Sequence, residues 1–186
     1  MERASLYEAA GGIEGLLRLA AAWHERVLAD EVVSHAFSGG YNPQHTERLA
    51  AYWAEALGGP PLYSRSYGDE TSVVRMHSGE GEHDEMDRRA IECFDLALDD
   101  AGLVADDALR KALHDYFAWA TTTTMARYTE SADDVPEGLV IGRWSWDGPV
   151  DAGGPGRGGH APGVLQSRRE GSAARFRETR RGRPGC

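Results

Sequence analysis

The sequence lacks most of the features that would place a protein in a membrane or outside the cell. Its two cysteines, Cys93 and Cys186, are far apart, so we predict neither a disulfide framework nor a paired-cysteine metal site. No apolar run approaches the roughly 18 to 20 residues needed to span a bilayer. The N-terminal segment does not have the pattern of a signal peptide. We therefore expect a cytoplasmic protein without a membrane partner.

Basic residues are also scarce over most of the chain. Residues 1–150 carry 12 Lys and Arg against 27 Asp and Glu, whereas residues 151–186 carry eight Arg against three acidic residues. Phosphate binding needs a positive surface, so the acidic body argues against nucleic acid as a partner. The last segment also contains nine Gly and three Pro. Because this composition cannot bury a core, we predict a disordered tail rich in Gly and Arg.

What the chain does contain is helical periodicity. Four segments repeat apolar residues at helical spacing: residues 13–29, 43–57, 84–101 and 106–128. A shorter apolar segment occupies residues 32–37. We expect residues 61–83 to form a long loop with a short helix near His77, and we find no strand of convincing alternation. The predicted fold class is all-α, and the length suits one domain with a real core.

Three histidines are the candidate functional residues of this helical chain. His24 and His45 lie on the apolar faces of two predicted helices, and His77 follows a Gly-Gly-Pro turn and a polar stretch. Neutral imidazole is the commonest metal ligand, so three histidines that converge would suggest a metal or haem pocket. A single inward histidine is more often a hydrogen-bonded core residue, and the pattern around His77 also suits a surface histidine. The residues alone leave these alternatives open.

The order of several motifs resembles the truncated haemoglobin family, and its second group most closely. The shared features are Gly11-Gly12, the inward Phe37, the run Leu-Gly-Gly-Pro-Pro-Leu-Tyr from Leu57 to Tyr63, and an Arg-x-His sequence that ends at His77. The resemblance covers residues 7–128. The combination is fairly specific, although each piece alone would be weak.

This resemblance implies a compact two-over-two helical globin fold around haem b. Residues 1–128 would form the haem domain, and residues 129–150 would form an extension that packs on it. Residues 151–186 would remain as the disordered tail.

The resemblance also implies roles for the three histidines. His77 matches the proximal ligand of the haem iron, whose other ring nitrogen should donate to a carbonyl or carboxylate. His45 and Leu49 match the two positions of the third helix that face the bound gas. His24 falls where most relatives carry a tyrosine. Either distal histidine would donate a hydrogen bond to the gas or bind the iron directly.

Three further residues complete the implied haem site. Phe37 matches the aromatic residue that packs against the haem face, although it would also suit a plain core position. Tyr63 and Arg75 match positions that reach the haem propionates, and a guanidinium suits a carboxylate through charge-assisted hydrogen bonds. The alternative for these two is a half-buried tyrosine and a solvated arginine.

Two departures from the second group affect the expected chemistry. Ala90 stands where the group usually has a tryptophan, and His24 replaces the distal tyrosine. The tyrosine–tryptophan hydrogen-bond system is therefore absent, and its chemistry cannot be carried over. We expect a roomier pocket unless Trp23 or Trp119 fills the space.

The function implied by the resemblance is reversible binding of dioxygen or another diatomic gas such as NO or CO. A haem-dependent oxidoreductase activity toward nitric oxide or peroxide is a further expectation. It would need a separate reductase, because the chain has no flavin- or nicotinamide-binding motif. The alternative function is a non-enzymatic gas sensor or an interaction module that binds little haem. A bundle-type di-iron site is disfavoured because it needs repeated Glu-x-x-His pairs.

Overall fold

The protein is described from a computed structural model that covers residues 3–103 and 106–150. Helices account for most of this part of the chain: α1 (Leu6–Ala9), α2 (Gly12–Ala29), α3 (His45–Ala56), α4 (Leu62–Ser66), α5 (Glu70–Met76), α6 (Asp84–Asp100) and α7 (Asp107–Trp119). The prediction of a helical fold is confirmed. The predicted tail lies outside the described residues. Within them, no helix combines the length and the apolar character that a membrane crossing requires.

An aromatic cluster joins the long helices in the core. α2 packs against both α3 and α6, and α6 also packs against α7. Phe94 of α6 stacks on Phe117 of α7, with ring centroids 4.1 Å apart and planes 7° from parallel. Trp53 of α3 meets Phe94 edge-on at 5.4 Å. These large buried rings fix the spacing of α3, α6 and α7.

A tight turn after α3 determines how the chain leaves that helix. Gly58 has a φ of 89°, a conformation that suits glycine. A Cβ atom on Gly59 would lie 2.6 Å from Tyr7 Cγ and 2.7 Å from the carbonyl oxygen of Ala54. The Gly-Gly-Pro motif therefore allows α1 and the end of α3 to pack closely together.

The segment between α3 and α6 is more helical than expected. We predicted a long loop with one short helix over residues 61–83, but both α4 and α5 lie there. Asp69 caps α5, because its side chain accepts a hydrogen bond from the backbone N–H of Ser72 at 2.8 Å. α5 ends at Met76, so His77 is the first residue after the helix.

The predicted last helix changes character before its expected end. α7 ends at Trp119. A π-helical turn over Ala120–Thr124 and a 3₁₀ turn over Met125–Tyr128 follow it. The hydroxyl of Thr122 donates to the carbonyl oxygen of Ala118 at 2.8 Å. The single long helix predicted for residues 106–128 is therefore wrong beyond Trp119.

The expectation of no strand is also wrong. Strands β1 (Arg143–Ser145) and β2 (Gly148–Val150) form a short antiparallel hairpin. Trp144 of β1 is buried, with its ring 6.2 Å from Tyr116 and 5.2 Å from Trp119. Trp144 of the extension thus lies against the end of α7.

Candidate functional site

His77 is held in one orientation by a backbone hydrogen bond. Its Nδ1 atom lies 2.8 Å from the carbonyl oxygen of Val73, one turn earlier in α5. A carbonyl oxygen can only accept, so Nδ1 carries the proton and Nε2 keeps a free lone pair. The His77 side chain is exposed at the end of α5, next to Met76, which is 65% exposed. This is the arrangement of an imidazole prepared to bind a metal through Nε2.

The other two histidines form a pair that joins α2 and α3. His45 is the first residue of α3, which begins two residues later than Pro43, and His24 lies buried in α2. The Nδ1 atom of His45 is 2.5 Å from Nε2 of His24. Among residues 3–103 and 106–150, no group of three or more His, Cys, Asp or Glu side chains is placed to hold a metal. The three histidines thus do not form one metal-binding cluster.

The environment of His45 favours its neutral form. Burial lowers the pKa of His45 below its ordinary value, and the charges of His77 and Arg48 lower it further.

The second ring nitrogen of His24 is also engaged. Its Nδ1 atom lies 2.9 Å from Thr46 Oγ1 and 3.0 Å from the hydroxyl oxygen of Tyr41. Burial, followed by the charge of His45, lowers the pKa of His24 to about 4. Both rings of the pair are therefore neutral near pH 7, and neither nitrogen of His24 is left over for a ligand.

An apolar wall adjoins the histidine pair. Phe37 is half-buried, and its ring meets the His45 ring edge-on at 5.6 Å and the His24 ring at 6.2 Å. Leu49 follows His45 by one helical turn and packs against the core. The structure therefore brings together His24, His45 and Phe37, and Leu49 lies one helical turn after His45.

Arg75 and Tyr63 do not meet at one anion site. Arg75 Nη2 donates to Glu137 Oε1 at 2.8 Å and to the carbonyl oxygen of Val135 at 3.2 Å. Tyr63 is buried, and its hydroxyl accepts from Arg48 Nη2 at 3.3 Å. Arg75 is thus engaged by the extension, while Tyr63 belongs with Arg48.

Arg48 is a site residue that the sequence analysis missed. Its half-buried guanidinium lies over the rings of Tyr63 and Tyr67, at 5.6 and 5.3 Å from their centroids. Its position three residues after His45 places it on the same side of α3. This spacing was the sequence signal that could have identified Arg48 as a site residue.

The space beside Ala90 is partly taken by Trp23. The indole N–H of Trp23 donates to the carbonyl oxygen of Ala90 at 3.2 Å, and its ring meets Phe117 edge-on at 5.7 Å. Trp119 instead packs against Trp144. Trp23 therefore lies beside Ala90, the position at which the second group usually carries a tryptophan. Its indole N–H is already bonded to the backbone.

Comparison with known sequences connects this chain to haemoglobins. The sequence profile of the bacterial-like globin family matches residues 5–123. The group 1 truncated haemoglobin GlbN of Mycolicibacterium paratuberculosis is 34% identical over 80 residues, which are 43% of this chain and 55% of that protein. The chain thus spans about half the length of this curated relative.

Solved structures show the same fold. A thermostable haemoglobin from the actinobacterium Thermobifida fusca is 30% identical, with a TM-score of 0.54 over 66% of this chain and 97% of its own. The group II truncated haemoglobin of Bacillus anthracis is 19% identical, with a TM-score of 0.60 over 69% of this chain and 95% of its own. The second likeness shows the fold alone. The predicted globin fold is confirmed, and the neighbours include the group that the motifs most resemble.

Proposed function

The chain belongs to the bacterial-like globin family, and we propose that it uses His77 to hold haem iron and His45 to contact a bound gas. Membership of this family implies a haem cofactor with its iron and haem-based binding of a diatomic gas such as dioxygen. Which gas is bound, and through which residues, is the subject of the proposal.

The hydrogen bond between His77 and Val73 carries the proposal. It fixes the proton on Nδ1 and leaves Nε2 as the nitrogen available to a metal. A bound haem would supply an iron that can take up a diatomic gas. The chemistry of the site fits this group: one imidazole is oriented by a backbone hydrogen bond at Nδ1, and an apolar wall includes Phe37 and Leu49.

His45 is proposed as the residue beside the gas. Its Nδ1 atom is bonded to His24, so Nε2 is the nitrogen that remains for the pocket. The bond to His24 also ties His45 to α2, so His45 would contact the gas rather than bind the iron itself. The proposal therefore gives the iron one protein ligand, His77.

A cation for the haem propionates is proposed at Arg48. Arg48 lies near His45, and Tyr63 accepts a hydrogen bond from it. Arg75, in contrast, already pairs with Glu137. A guanidinium near the site can bind a carboxylate with charge-assisted bonds, so Arg48 with Tyr63 is the better-supported pair. The earlier assignment of Arg75 stays a prediction.

Turnover of nitric oxide or peroxide stays a second hypothesis, which is more specific than the binding of a gas. His45 offers a neutral imidazole to the pocket, and an imidazole can both accept and donate a proton. Electrons would come from a separate reductase. Rapid mixing of the oxygenated protein with nitric oxide, followed by nitrate analysis, tests it, and absence of stoichiometric nitrate would contradict it.

Visible spectroscopy tests the assignment of His77. The full chain is supplied with haem, and ferric, ferrous and CO spectra are recorded for the wild type, His77→Ala and the control His35→Ala. His35 is an exposed histidine of the 3₁₀ helix Val33–Phe37. We expect His35→Ala to match the wild type and His77→Ala to lose the wild-type ferrous spectrum. Identical spectra in all three proteins would refute the assignment.

A further inference from the structure

We propose that His24 is a positioning residue that keeps the proton of His45 on Nε2, so that His45 faces the pocket as a hydrogen-bond donor. This inference rests on the proposed function, because it concerns the gas that His45 contacts. It also changes the role expected for His24. Since both of its ring nitrogens are engaged by Tyr41, Thr46 and His45, His24 acts on the gas only through His45.

The argument begins with a count of protons. Two neutral imidazoles carry one ring proton each, and one proton must lie between His24 Nε2 and His45 Nδ1, which are 2.5 Å apart. If His24 supplies it, the proton of His45 is on Nε2 and points into the pocket. If His45 supplies it, Nε2 is bare and faces the pocket as an acceptor or a metal ligand. The direction of this one bond therefore sets the chemistry of the distal side.

Two hydroxyls decide the direction. Tyr41 and Thr46 both lie within hydrogen-bond distance of His24 Nδ1, at 3.0 and 2.9 Å, and their oxygens are 3.2 Å apart. A phenol is a better donor than an alcohol, and an imidazole nitrogen is a better acceptor than a hydroxyl oxygen. Tyr41 or Thr46 therefore donates to Nδ1, and the single proton of His24 is left on Nε2. The hydrogen bonds then run in one direction, from the hydroxyls through His24 to His45.

The surroundings of His24 keep its ring neutral and so maintain the direction of these hydrogen bonds. The ring is 4% exposed, and the rings of Trp23 and Phe37 lie 5.4 and 6.2 Å away. Burial, which lowers the pKa of His24 to about 4, keeps the ring neutral at pH 7. A neutral ring has one proton to give, so its donor and acceptor sides are distinct. Tyr41 is 39% exposed, so the outer end of the series reaches solvent.

Infrared spectroscopy of the haem-loaded full chain with CO provides the first test. A donor near the bound CO lowers the C–O stretching frequency, so loss of the donor raises it. We expect a higher frequency in His24→Phe, together with gas release faster by about five-fold, the equivalent of one neutral hydrogen bond. His24→Gln keeps an amide N–H that can reach His45 and should restore most of the wild-type frequency. Equal frequencies in the wild type and His24→Phe would overturn the proposal.

A second variant keeps the test decisive if His24→Phe does not fold. Tyr41→Phe combined with Thr46→Val removes both outer hydroxyls and leaves the His24–His45 contact in place. Without them, Nδ1 of His24 is no longer required to accept, and we expect the C–O frequency to move in the same direction as in His24→Phe. An unchanged frequency in a folded double variant would contradict the role of the hydroxyls.

Nitrogen-15 NMR of the ferrous CO form reads the proton position directly. We expect His45 to carry its proton on Nε2 and His24 to carry its proton on Nε2. Protonation of His45 on Nδ1 would overturn the inference. The two proposals fail separately: unchanged haem spectra in His77→Ala refute the assigned ligand, whereas normal CO binding with an unaltered frequency in His24→Phe refutes only the role of His24.

Discussion

Glu70 is a buried acid whose ionisation should weaken the fold as the pH rises. It is the first residue of α5 and is 3% exposed, and both of its carboxylate oxygens lie within 3.1 Å of the Tyr52 hydroxyl. Burial raises the pKa of Glu70 to about 7, and the charges of Glu55 and Asp69 add to the rise, while the bond from Tyr52 opposes it. Burial raises the pKa of Tyr116 in α7, and the charge of Glu70 adds to the rise.

The sign and size of the effect follow from the two protonation states. The folded protein holds the Glu70 proton more tightly than the unfolded chain, where the pKa is near 4.5. The favourable contribution of this group is therefore complete below pH 4.5 and is lost as the pH rises through about 7. A shift of this size corresponds to about 3 kcal/mol of unfolding free energy, as an upper bound.

The substitution Glu70→Gln tests this reasoning. Glutamine keeps an oxygen that accepts from Tyr52 but carries no charge, so the variant should gain up to about 3 kcal/mol over the wild type between pH 5 and pH 8. Urea unfolding followed by circular dichroism, at one fixed haem saturation, measures the difference. The exposed Glu47→Gln on α3 is the control and should run parallel to the wild type. Parallel curves for Glu70→Gln and the wild type would refute the account.

Two substitutions test the packing by urea unfolding. Phe94→Ala removes the ring stacked on Phe117 and should lower the free energy of unfolding by about 3 to 5 kcal/mol. Leu96 is 47% exposed, so Leu96→Ala should change stability little. Similar losses in both variants would contradict the described core. Gly59→Ala should cost about 1 to 3 kcal/mol, because its Cβ would lie 2.7 Å from a backbone carbonyl. Gly39→Ala has nothing within 4 Å and should be nearly neutral, so equal costs would argue against the tight turn.

The long helices could be predicted from the sequence because their periodicity extends over several turns. α4 and α5 hold only five and seven residues, too few for a repeating apolar pattern to show. α5 corresponds to the short helix predicted near His77, whereas α4 was missed. The hairpin was not predicted for the same reason, because each strand has only three residues and shows no alternation of apolar and polar residues. Short elements depend on tertiary contacts, such as the packing of Trp144, rather than on local pattern.

The sequence indicates which histidines and aromatic residues point inward, but not the hydrogen bonds between them. The inward faces of His24, His45 and Phe37 follow from helical spacing within each segment. The bond between His24 and His45 joins two helices, and the pairing of Arg75 with Glu137 joins residues far apart in sequence. Such partners depend on how the elements pack, which spacing along one chain segment does not reveal.

Chemical rescue tests the central claim most directly. Replacing His77 by glycine removes the proposed ligand and leaves room for a free imidazole near the carbonyl oxygen of Val73. In the haem-loaded full chain, His77→Gly should lose the wild-type ferrous spectrum, and added imidazole should restore it in a saturable manner. A wild-type ferrous spectrum in His77→Gly without imidazole would contradict the claim that His77 holds the iron.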